Sequence, residues 1–322
     1  MKKIKWGIIG LGKIANKFAE DLVYVDNAEL YGVASRSLKN AKEFSEKHSA
    51  KVAYGSYEEL MEDTEVDVIY IATPHSFHHE LTLKCLQHKK AVLCEKPFAM
   101  NLEEAEEMIA LSKQKKLFLM EALWTRFLPH FQYISKRINS GEFGKVLSIK
   151  ADFGFEAEFD STKRLFNKSL GGGSLLDIGI YPIFLAYSIL GNPEKISAVA
   201  KFTETGVDAE CRVKFTYQEG VEADLFSTFK KETPTIAEII LENGKIILNS
   251  RFHEPTSVTV IANGEETIKD FKVKSNGYNF EAAHVTEKLQ KGKFESNIWS
   301  LENTRDLMSL LDKVRSEIGL EY

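Results

Sequence analysis

One run of residues close to the N-terminus restricts the fold of this chain more than any other feature: Gly7-Ile8-Ile9-Gly10-Leu11-Gly12-Lys13-Ile14-Ala15. The run predicts an apolar strand, a tight glycine turn and a helix. Gly10 permits the turn, Gly12 lets the backbone approach a phosphate, and Ala15 lets the helix pack closely on the strand. Backbone N–H groups at the helix start attract the phosphate charge, whereas the alternative is an ordinary strand–helix connection. We expect an NAD or NADP cofactor to contact Gly10, Leu11, Gly12, Lys13 and Ile14.

The composition narrows the class of protein. The chain has 322 residues, 43% of them hydrophobic, which is enough for a large buried core and predicts about two domains. Its net charge is −5, and its charged residues are of both signs without a basic block, so neither nucleic acid nor an anionic membrane is indicated as a partner. The longest apolar stretch, Ser174–Leu190, contains Asp177 and Pro182 and therefore predicts a buried helix rather than a membrane span.

The cysteines and the N-terminus indicate the compartment. Cys85, Cys94 and Cys211 are odd in number, lie far apart and form no C-x-x-C motif. The N-terminal residues run directly into a strand that is too short for the apolar core of a signal peptide. We therefore expect a reduced, cytoplasmic protein.

Strand and helix patterns alternate along the first part of the chain, which predicts an α/β fold with a doubly wound parallel sheet of the Rossmann type. In such sheets ligands bind beyond the carboxyl ends of the strands. Those ends are predicted at Gly10, Ser35, Thr73, Glu95 and Glu121. The predicted strands are Ile4–Ile9, Leu30–Ser35, Val66–Ala72, Ala91–Cys94 and Leu117–Met120, with helices over Lys13–Leu22, Leu38–His48, Ser76–His88 and Leu102–Gln114.

The pattern changes after Glu121. Turn signals such as Asn243-Gly244 separate short apolar runs from about Ile196 onward, which predicts hairpins and an open antiparallel sheet in a C-terminal α+β domain. We therefore expect a dinucleotide-binding domain over residues 1–122 and a substrate-binding and oligomerisation domain over residues 123–322. The last predicted helices, Phe280–Leu289 and Leu301–Val314, could pack on either domain.

The end of the second strand indicates which cofactor is preferred. An NAD site usually places Asp or Glu here, to hold both ribose hydroxyls, but this chain has Ser35-Arg36-Ser37. Arg36 can pair with a 2′-phosphate, and Ser35 adds a hydroxyl donor. The alternative is a solvated arginine that begins a helix. We interpret the segment as a preference for NADP, with NAD as the second choice.

Lys96 is the first candidate for chemistry. Cys94-Glu95-Lys96-Pro97 follows a short apolar strand, and Pro97 stiffens the turn. A lysine held at the carboxyl end of a strand can hydrogen-bond a substrate oxygen and stabilise charge that develops on it. A solvated surface lysine is the alternative.

The segment Thr73-Pro74-His75-Ser76-Phe77-His78-His79 follows the predicted buried strand. Its histidines suggest a metal at first, but no acidic or cysteine pattern accompanies them, and a structural zinc site needs four ligands. We therefore predict no metal site and expect contacts with the cofactor from Thr73, Pro74, His75 and His78.

Gly171-Gly172-Gly173 precedes the long apolar stretch and would allow close approach of the backbone to a ligand. Asp177 and Tyr181 are four residues apart and so share one helix face. An aspartate in so apolar a helix must be paired or face a cleft. A tyrosine hydroxyl near a lysine cation ionises more easily, which makes it a usable proton donor or acceptor. A satisfied core tyrosine with a capping aspartate is the alternative.

Together these residues resemble the glucose–fructose oxidoreductase/inositol dehydrogenase (Gfo/Idh/MocA) family over nearly the whole chain. Within that family, Glu121–Phe127 and the segment from His75 to Glu80 are most similar to the dihydrodiol dehydrogenase branch, which includes NADP-dependent xylose dehydrogenases. The motifs that carry the resemblance are Gly10–Ala15, Thr73-Pro74 with His78, Glu95-Lys96-Pro97, Gly171-Gly172-Gly173 and Asp177-x-Gly179-x-Tyr181.

The resemblance implies a Rossmann domain followed by an α/β domain whose open sheet commonly forms the oligomer interface, here of a homodimer or tetramer. It implies that Lys96 contacts the substrate and the nicotinamide ribose and that Asp177 lines the pocket. Many members have His where this chain has Tyr181, which makes Tyr181 the expected general acid/base. Trp124 is expected to border the nicotinamide and Arg164 to reach the cofactor or substrate, whereas Glu95 and Pro97 belong to the lysine motif at the cofactor.

The function expected from the sequence is therefore NADP-dependent hydride transfer to or from a sugar, a vicinal diol or the matching carbonyl, with Lys96, Tyr181 and Asp177 as catalytic residues. One alternative is an oxidoreductase for a cyclitol or an amino sugar. Another is a nonenzymatic regulator that senses NAD(P), but such a protein would not need Lys96, Asp177 and Tyr181 together.

Overall fold

The computed structural model describes residues 2–322, and these residues fall into two compact units. The first unit comprises the chain up to Phe127 together with Lys274–Arg305, and the second comprises Leu128–Val273 and Asp306–Tyr322. The helices are α1 Lys13–Leu22, α2 Leu38–His48, α3 Tyr57–Glu62, α4 His78–Gln87, α5 Leu102–Lys115, α6 Pro129–Asn139, α7 Ile180–Leu190, α8 Tyr278–Gln290 and α9 Leu301–Ile318.

The first unit contains a parallel sheet in the order β3-β2-β1-β4-β5-β6. The order reverses beside β1, as in a doubly wound Rossmann sheet, so the predicted fold of this part is confirmed. A ligand crevice is expected where the order reverses, at the carboxyl ends of β1 and β4. The strands are β1 Ile4–Ile9, β2 Ala28–Ala34, β3 Val52–Tyr54, β4 Val68–Ile71, β5 Ala91–Glu95 and β6 Leu119–Ala122.

Local sequence signals explain where several of these helices begin. Asn101 accepts a hydrogen bond at 2.9 Å from the backbone N–H of Glu104 and so is the N-cap of α5. Ser37 caps α2 and Ser56 caps α3 in the same way. The edge strand β3 and the short helix α3 were not predicted, because three half-buried residues form no recognisable apolar run.

A buried aspartate joins α8 to the first unit. Asp21, near the end of α1, is 1% exposed and accepts hydrogen bonds from the backbone N–H groups of Asn276, Gly277 and Tyr278 at 2.9, 2.7 and 2.8 Å. These N–H groups stand at the start of α8, where no partner within the helix is available. A carboxylate from a distant segment thus caps α8 and holds it against α1.

The second unit is built on a sheet in the order β14-β13-β12-β11-β7-β10-β9-β8. The sheet is mostly antiparallel as predicted, but β7 and β10 pair in parallel, so it is mixed. Helix α7 packs on its inner face, and Phe184 of α7 stacks on Phe131 of α6 with the ring centroids 4.9 Å apart. The strands are β7 Val146–Gly154, β8 Lys195–Phe202, β9 Asp208–Thr216, β10 Glu222–Thr228, β11 Ala237–Leu241, β12 Gly244–Leu248, β13 Val258–Ala262 and β14 Glu265–Lys269.

The segment Lys168–Leu190 is long and apolar enough, by length and composition, to cross a membrane. However, 78% of its most apolar window is buried inside the structure. It ends in α7, whose residues Ile180–Tyr187 are all buried, as in the core helix of a globular unit.

One carboxyl group of α8 is buried without a hydrogen-bond partner among the described residues. Glu281 is fully buried, and neither of its oxygens has a hydrogen-bond partner among residues 2–322. Burial raises its pKa well above 4.5, and the nearby charges of Glu95 and Asp21 raise it further. The folded protein therefore keeps a proton on Glu281 that the unfolded chain releases above about pH 4.5, so its contribution to stability is lost as the pH rises.

We expect Glu281→Met to raise the free energy of unfolding at pH 8 by roughly 1–3 kcal/mol, with little change at pH 4.5, because the methionine needs no proton. Urea denaturation of both proteins across this pH range measures the difference. His130 and His284, whose pKa values burial lowers to about 4, act in the opposite direction but cancel between the two proteins. Glu287→Met, at an exposed position of α8, is the control. A variant that is less stable than wild type at pH 8 would contradict the prediction.

Candidate functional site

A cavity of about 590 Å³ lies at the carboxyl ends of β1, β2 and β4 in the first unit. Its position is the one expected from the reversal of strand order. It brings together seven of the sixteen residues predicted for the cofactor, whereas Lys13 and Ile14 are exposed on the first turn of α1. The lining residues are Gly10, Leu11, Gly12, Ser35, Arg36, Asn40, Glu43, Phe44, Lys47, Tyr57, Ala72, Thr73 and Pro74.

The two glycines of the first turn differ in their surroundings. Gly10 has a φ of +88°, and a Cβ added there would lie 2.7 Å from the carbonyl group of Ala72, so only glycine fits. A Cβ on Gly12 would meet nothing within 4 Å among the described residues. No described side chain caps α1 at Gly12, so the first N–H groups of the helix face this open space. The arrangement fits a diphosphate, which would accept hydrogen bonds from those groups.

Both positively and negatively charged side chains line the cavity. Arg36 is exposed, and its charge lowers the pKa of Tyr57, which burial otherwise raises. Lys47 donates a hydrogen bond to Asn16 at 2.7 Å. Glu43, which the sequence analysis did not consider, lies 3.8 Å from Lys39. Two cations and one paired carboxylate therefore surround the end of the cavity that Arg36 borders.

His78 joins two of the predicted segments. Its ring is fully buried, with Nδ1 2.9 Å from the carbonyl oxygen of Pro97 and Nε2 2.9 Å from that of Thr73. The ring donates to at least one of these two carbonyl groups, since a neutral imidazole has one N–H donor. His78 thus fixes the turn after β4 to the turn that contains Lys96. No group of three or more His, Cys, Asp or Glu side chains in residues 2–322 could hold a metal ion.

Glu95 anchors the turn on which Lys96 lies. Its side chain accepts hydrogen bonds from the hydroxyl of Tyr70 and, at 3.2 Å, from the backbone N–H of Lys96. Burial raises the pKa of Glu95, while the Tyr70 hydrogen bond and the charge of Lys96 oppose the shift. Glu121 supports the same turn, because it accepts a hydrogen bond at 3.2 Å from the N–H of Phe98. Burial raises the pKa of Glu121 to about 7.

Trp124, predicted to border the nicotinamide, is 3% exposed. Its ring stacks on that of Tyr278, with centroids 4.3 Å apart and the planes within 3° of parallel. Tyr278 is the first residue of α8, the helix that Asp21 caps. Tyr278 was not predicted from the sequence, because its contact with Trp124 joins segments far apart in the chain and leaves no local signal.

In the second unit, Asp177 and Arg164 form an ion pair, with Nη2 2.8 Å from Oδ1. Asp177 lies in a π-helical turn, Leu175–Gly179, that leads into α7. Such turns are rare and occur frequently at functional sites. The carboxylate in this apolar segment is thus paired with Arg164, and the expected contact of Arg164 with the cofactor or substrate stays a prediction.

Protein atoms surround the glycine triplet. A Cβ on Gly172 would lie 2.6 Å from the carbonyl oxygen of Arg164, and one on Gly173 would lie 2.3 Å from Oδ1 of Asp208. Asp208 is fully buried and accepts hydrogen bonds from Ser174 Oγ at 2.6 Å and from the N–H of Leu175 at 2.7 Å. Burial raises its pKa to about 7. The absence of side chains at these two glycines is therefore required by packing inside the unit.

Tyr181, a residue of α7, lies in a small aromatic cluster. It is 4% exposed, and its ring centroid lies 5.7 Å from that of Phe153 and 5.0 Å from that of His253. Phe153 and His253 stack on each other with centroids 4.1 Å apart. His253 was not predicted as a site residue, because a lone histidine in a loop gives no signal in the sequence.

Comparison with known proteins follows the same division of the chain. Residues 4–123 match the GFO/IDH/MocA oxidoreductase family, NAD-binding Rossmann fold, and residues 131–247 match a GFO/IDH/MocA C-terminal domain. The trans-1,2-dihydrobenzene-1,2-diol dehydrogenase of Xenopus tropicalis is 38% identical, and the alignment covers 99% of each chain. The human enzyme of the same name is 36% identical over 99% of this chain and 98% of its own.

Among solved structures, a 3-ketoreductase from Actinomadura kijaniata in complex with NADP and TDP-benzene is similar, with a TM-score of 0.89 and 25% identity over 98% of both chains. Further structures of that ketoreductase carry a Tyr-to-Phe or a Lys-to-Ala substitution. The similarity in sequence and in structure thus extends over both units of the chain.

Proposed function

This chain belongs to the Gfo/Idh/MocA family of oxidoreductases and is a nicotinamide-dependent dehydrogenase or reductase, and we propose that it uses NADP to oxidise a hydroxyl of a sugar or vicinal diol, or to reduce the matching carbonyl. The observation that carries the proposal is the cavity in which the open space at Gly12 and the side chain of Arg36 occur together. The dehydrogenase names of the relatives favour an enzyme over a cofactor-sensing regulator.

The residues for NADP divide by the part of the cofactor they suit. The N–H groups beside Gly12 suit the diphosphate, and Arg36 with Ser35 suits a 2′-phosphate. The NADP-bound ketoreductase supports this choice. Thr73 and Pro74 line the same cavity, and we propose that His75 and His78 support its wall.

When bound, the nicotinamide supplies or accepts the hydride. We propose that Tyr181 exchanges the hydroxyl proton and that Lys96 hydrogen-bonds the substrate oxygen and stabilises its developing negative charge. Glu95 fixes the backbone of Lys96 and so limits the conformations of its turn. Asp177 is proposed to order the pocket through its ion pair with Arg164, and Trp124 to border the nicotinamide.

We also propose that the enzyme works in the reducing cytoplasm. Its three cysteines are free and buried, and burial raises the pKa of each thiol, so none is poised for disulfide exchange.

Removing the proton donor or the lysine tests the catalytic assignment. We expect Tyr181→Phe and Lys96→Ala each to lower turnover by about 10²- to 10⁴-fold and to leave NADPH binding largely intact. NADPH oxidation with a panel of dicarbonyls, aldoses, cyclitols and amino-sugar ketones measures turnover, and fluorescence titration measures binding. Tyr217→Phe is the matched control, because it removes a buried hydroxyl that has no hydrogen-bond partner among residues 2–322. Near-normal turnover in both variants would refute the assignment.

Replacing Arg36 tests the choice of cofactor. Because a charge-assisted hydrogen bond contributes about 1.5–3 kcal/mol, we expect Arg36→Ala to weaken NADPH binding roughly 10- to 100-fold and to leave NADH binding nearly unchanged. Titration of both cofactors gives the ratio. Lys42→Ala, on the adjoining helix α2 but outside the cavity lining, is the control. An equal loss of affinity for both cofactors would show that Arg36 does not bind the 2′-phosphate.

We further propose that the outer face of the second sheet joins copies of this chain into a homodimer or tetramer. Charged side chains on that face pair across strands, with Arg212 and Asp224 2.8 Å apart. The Arg212 guanidinium lies 4.8 Å from the ring centroid of half-buried Phe226, beside a shallow cavity of about 390 Å³. Aromatic and arginine side chains of this kind are frequent at the centres of interfaces.

Light scattering reads the oligomeric state directly. We expect the purified enzyme to be a dimer or tetramer and Phe226→Arg to be a folded monomer, because the new charge repels Arg212 where two copies meet. Circular dichroism checks that the variant remains folded. A wild-type protein that is monomeric at micromolar concentration would exclude the proposed interface.

A further inference from the structure

His253 lies next to Tyr181 without any assigned role. Its ring is 5% exposed, stacks on Phe153 and contacts Tyr181. It is carried by the loop that follows β12, and the N–H of the preceding residue, Phe252, donates a hydrogen bond to the carbonyl oxygen of Thr235 at 3.2 Å. The imidazole is therefore held at a fixed place beside the proposed proton donor.

A carboxylate lies close to the imidazole of His253. Nε2 of His253 lies 3.6 Å from Oε1 of Glu254, which is an ion-pair distance. Arg251 donates to both oxygens of Glu254, from Nε at 2.8 Å and from Nη2 at 2.7 Å. Burial alone would raise the pKa of Glu254, but its interactions with His253 and Arg251 outweigh this effect and hold the pKa well below 4.5. Glu254 is thus ionised and fixed in orientation, and it can stabilise a proton on His253.

The other titratable groups near His253 do not compete for this proton. His130 of α6 has Nε2 2.9 Å from the carbonyl oxygen of Phe252, and burial and the charge of His253 lower its pKa to about 4. His130 is therefore neutral near pH 7. The charge of Glu232 reaches Arg251, on the solvent side of the cluster. Of these two imidazoles, that of His253 is the one that lies at ion-pair distance from a carboxylate and contacts Tyr181.

We propose that His253, backed by Glu254 and Arg251, is a positioning residue for Tyr181: it fixes the phenol ring and carries a positive charge that stabilises the ionised phenol. The inference rests on the proposed role of Tyr181 as general acid/base. A carboxylate that orients and charges an imidazole beside a reacting hydroxyl group is a recurrent arrangement in catalysis. Here the imidazole acts through its charge and its packing on the tyrosine.

The pH dependence of substrate oxidation tests the inference. We expect His253→Gln to lower kcat at pH 7 by about 3- to 10-fold and to move the rising limb of the pH profile to higher pH by about 0.5–1 unit, because the phenol loses a nearby positive charge. Glu254→Gln is expected to shift the limb in the same direction, since His253 then loses its counter-ion. His88→Gln, at an exposed position, should match wild type. A purely structural role would alter stability without moving the limb.

A second measurement needs no substrate. Ultraviolet difference titration of each protein against its Tyr181→Phe counterpart reads the pH at which this one phenol ionises. Should His253→Gln fail to fold, Glu254→Gln, whose side chain is 24% exposed, decides the matter by the same two readouts. Profiles and titrations that superimpose on wild type would overturn the inference. Full activity of Tyr181→Phe would instead refute the proposed function itself, so the two failures are distinguishable.

Discussion

In each unit a buried aspartate binds the backbone N–H groups at the beginning of a helical segment from elsewhere in the chain. Asp21 does so for α8, and Asp208 does so for the π-helical turn before α7. Each helix start would otherwise expose donors that have no partner inside the protein, at a cost of roughly 1–3 kcal/mol for each buried group. The position of Tyr278 beneath Trp124, and that of Asp177 beside Arg164, therefore depends on these two carboxylates.

The sequence was sufficient where the signal is local. Alternating apolar strands and helices predicted the parallel sheet and its carboxyl ends, and the cavity lies at those ends. The local sequence could not reveal Asp21, Asp208 or Tyr278 as organising residues, because each acts on a segment distant in the chain. The parallel pairing of β7 with β10 was missed for the same reason, since only the tertiary return of the chain determines it.

The buried carboxyl groups around Lys96 show how the Rossmann unit supports a cation at its ligand edge. Glu95 and Glu121 lie under the turn, and burial raises the pKa of each. The opposing charge of Lys96 lowers the pKa of Glu95, so by reciprocity an ionised Glu95 favours the charged lysine. A protonated Glu281 adds no negative charge beside Glu95.

Glycine has two structural roles in this chain, and the sequence alone does not distinguish them. At Gly12 the missing side chain leaves open space beside a helix start, which suits a ligand. At Gly172 and Gly173 a backbone carbonyl group and Asp208 occupy the space that a side chain would need, so these two glycines serve internal packing. Both glycine segments precede a helix, but a Cβ would clash at Gly172 and Gly173 and not at Gly12. The space is open at Gly12 and filled at Gly172 and Gly173, which supports the proposal that a ligand approaches the first glycine turn.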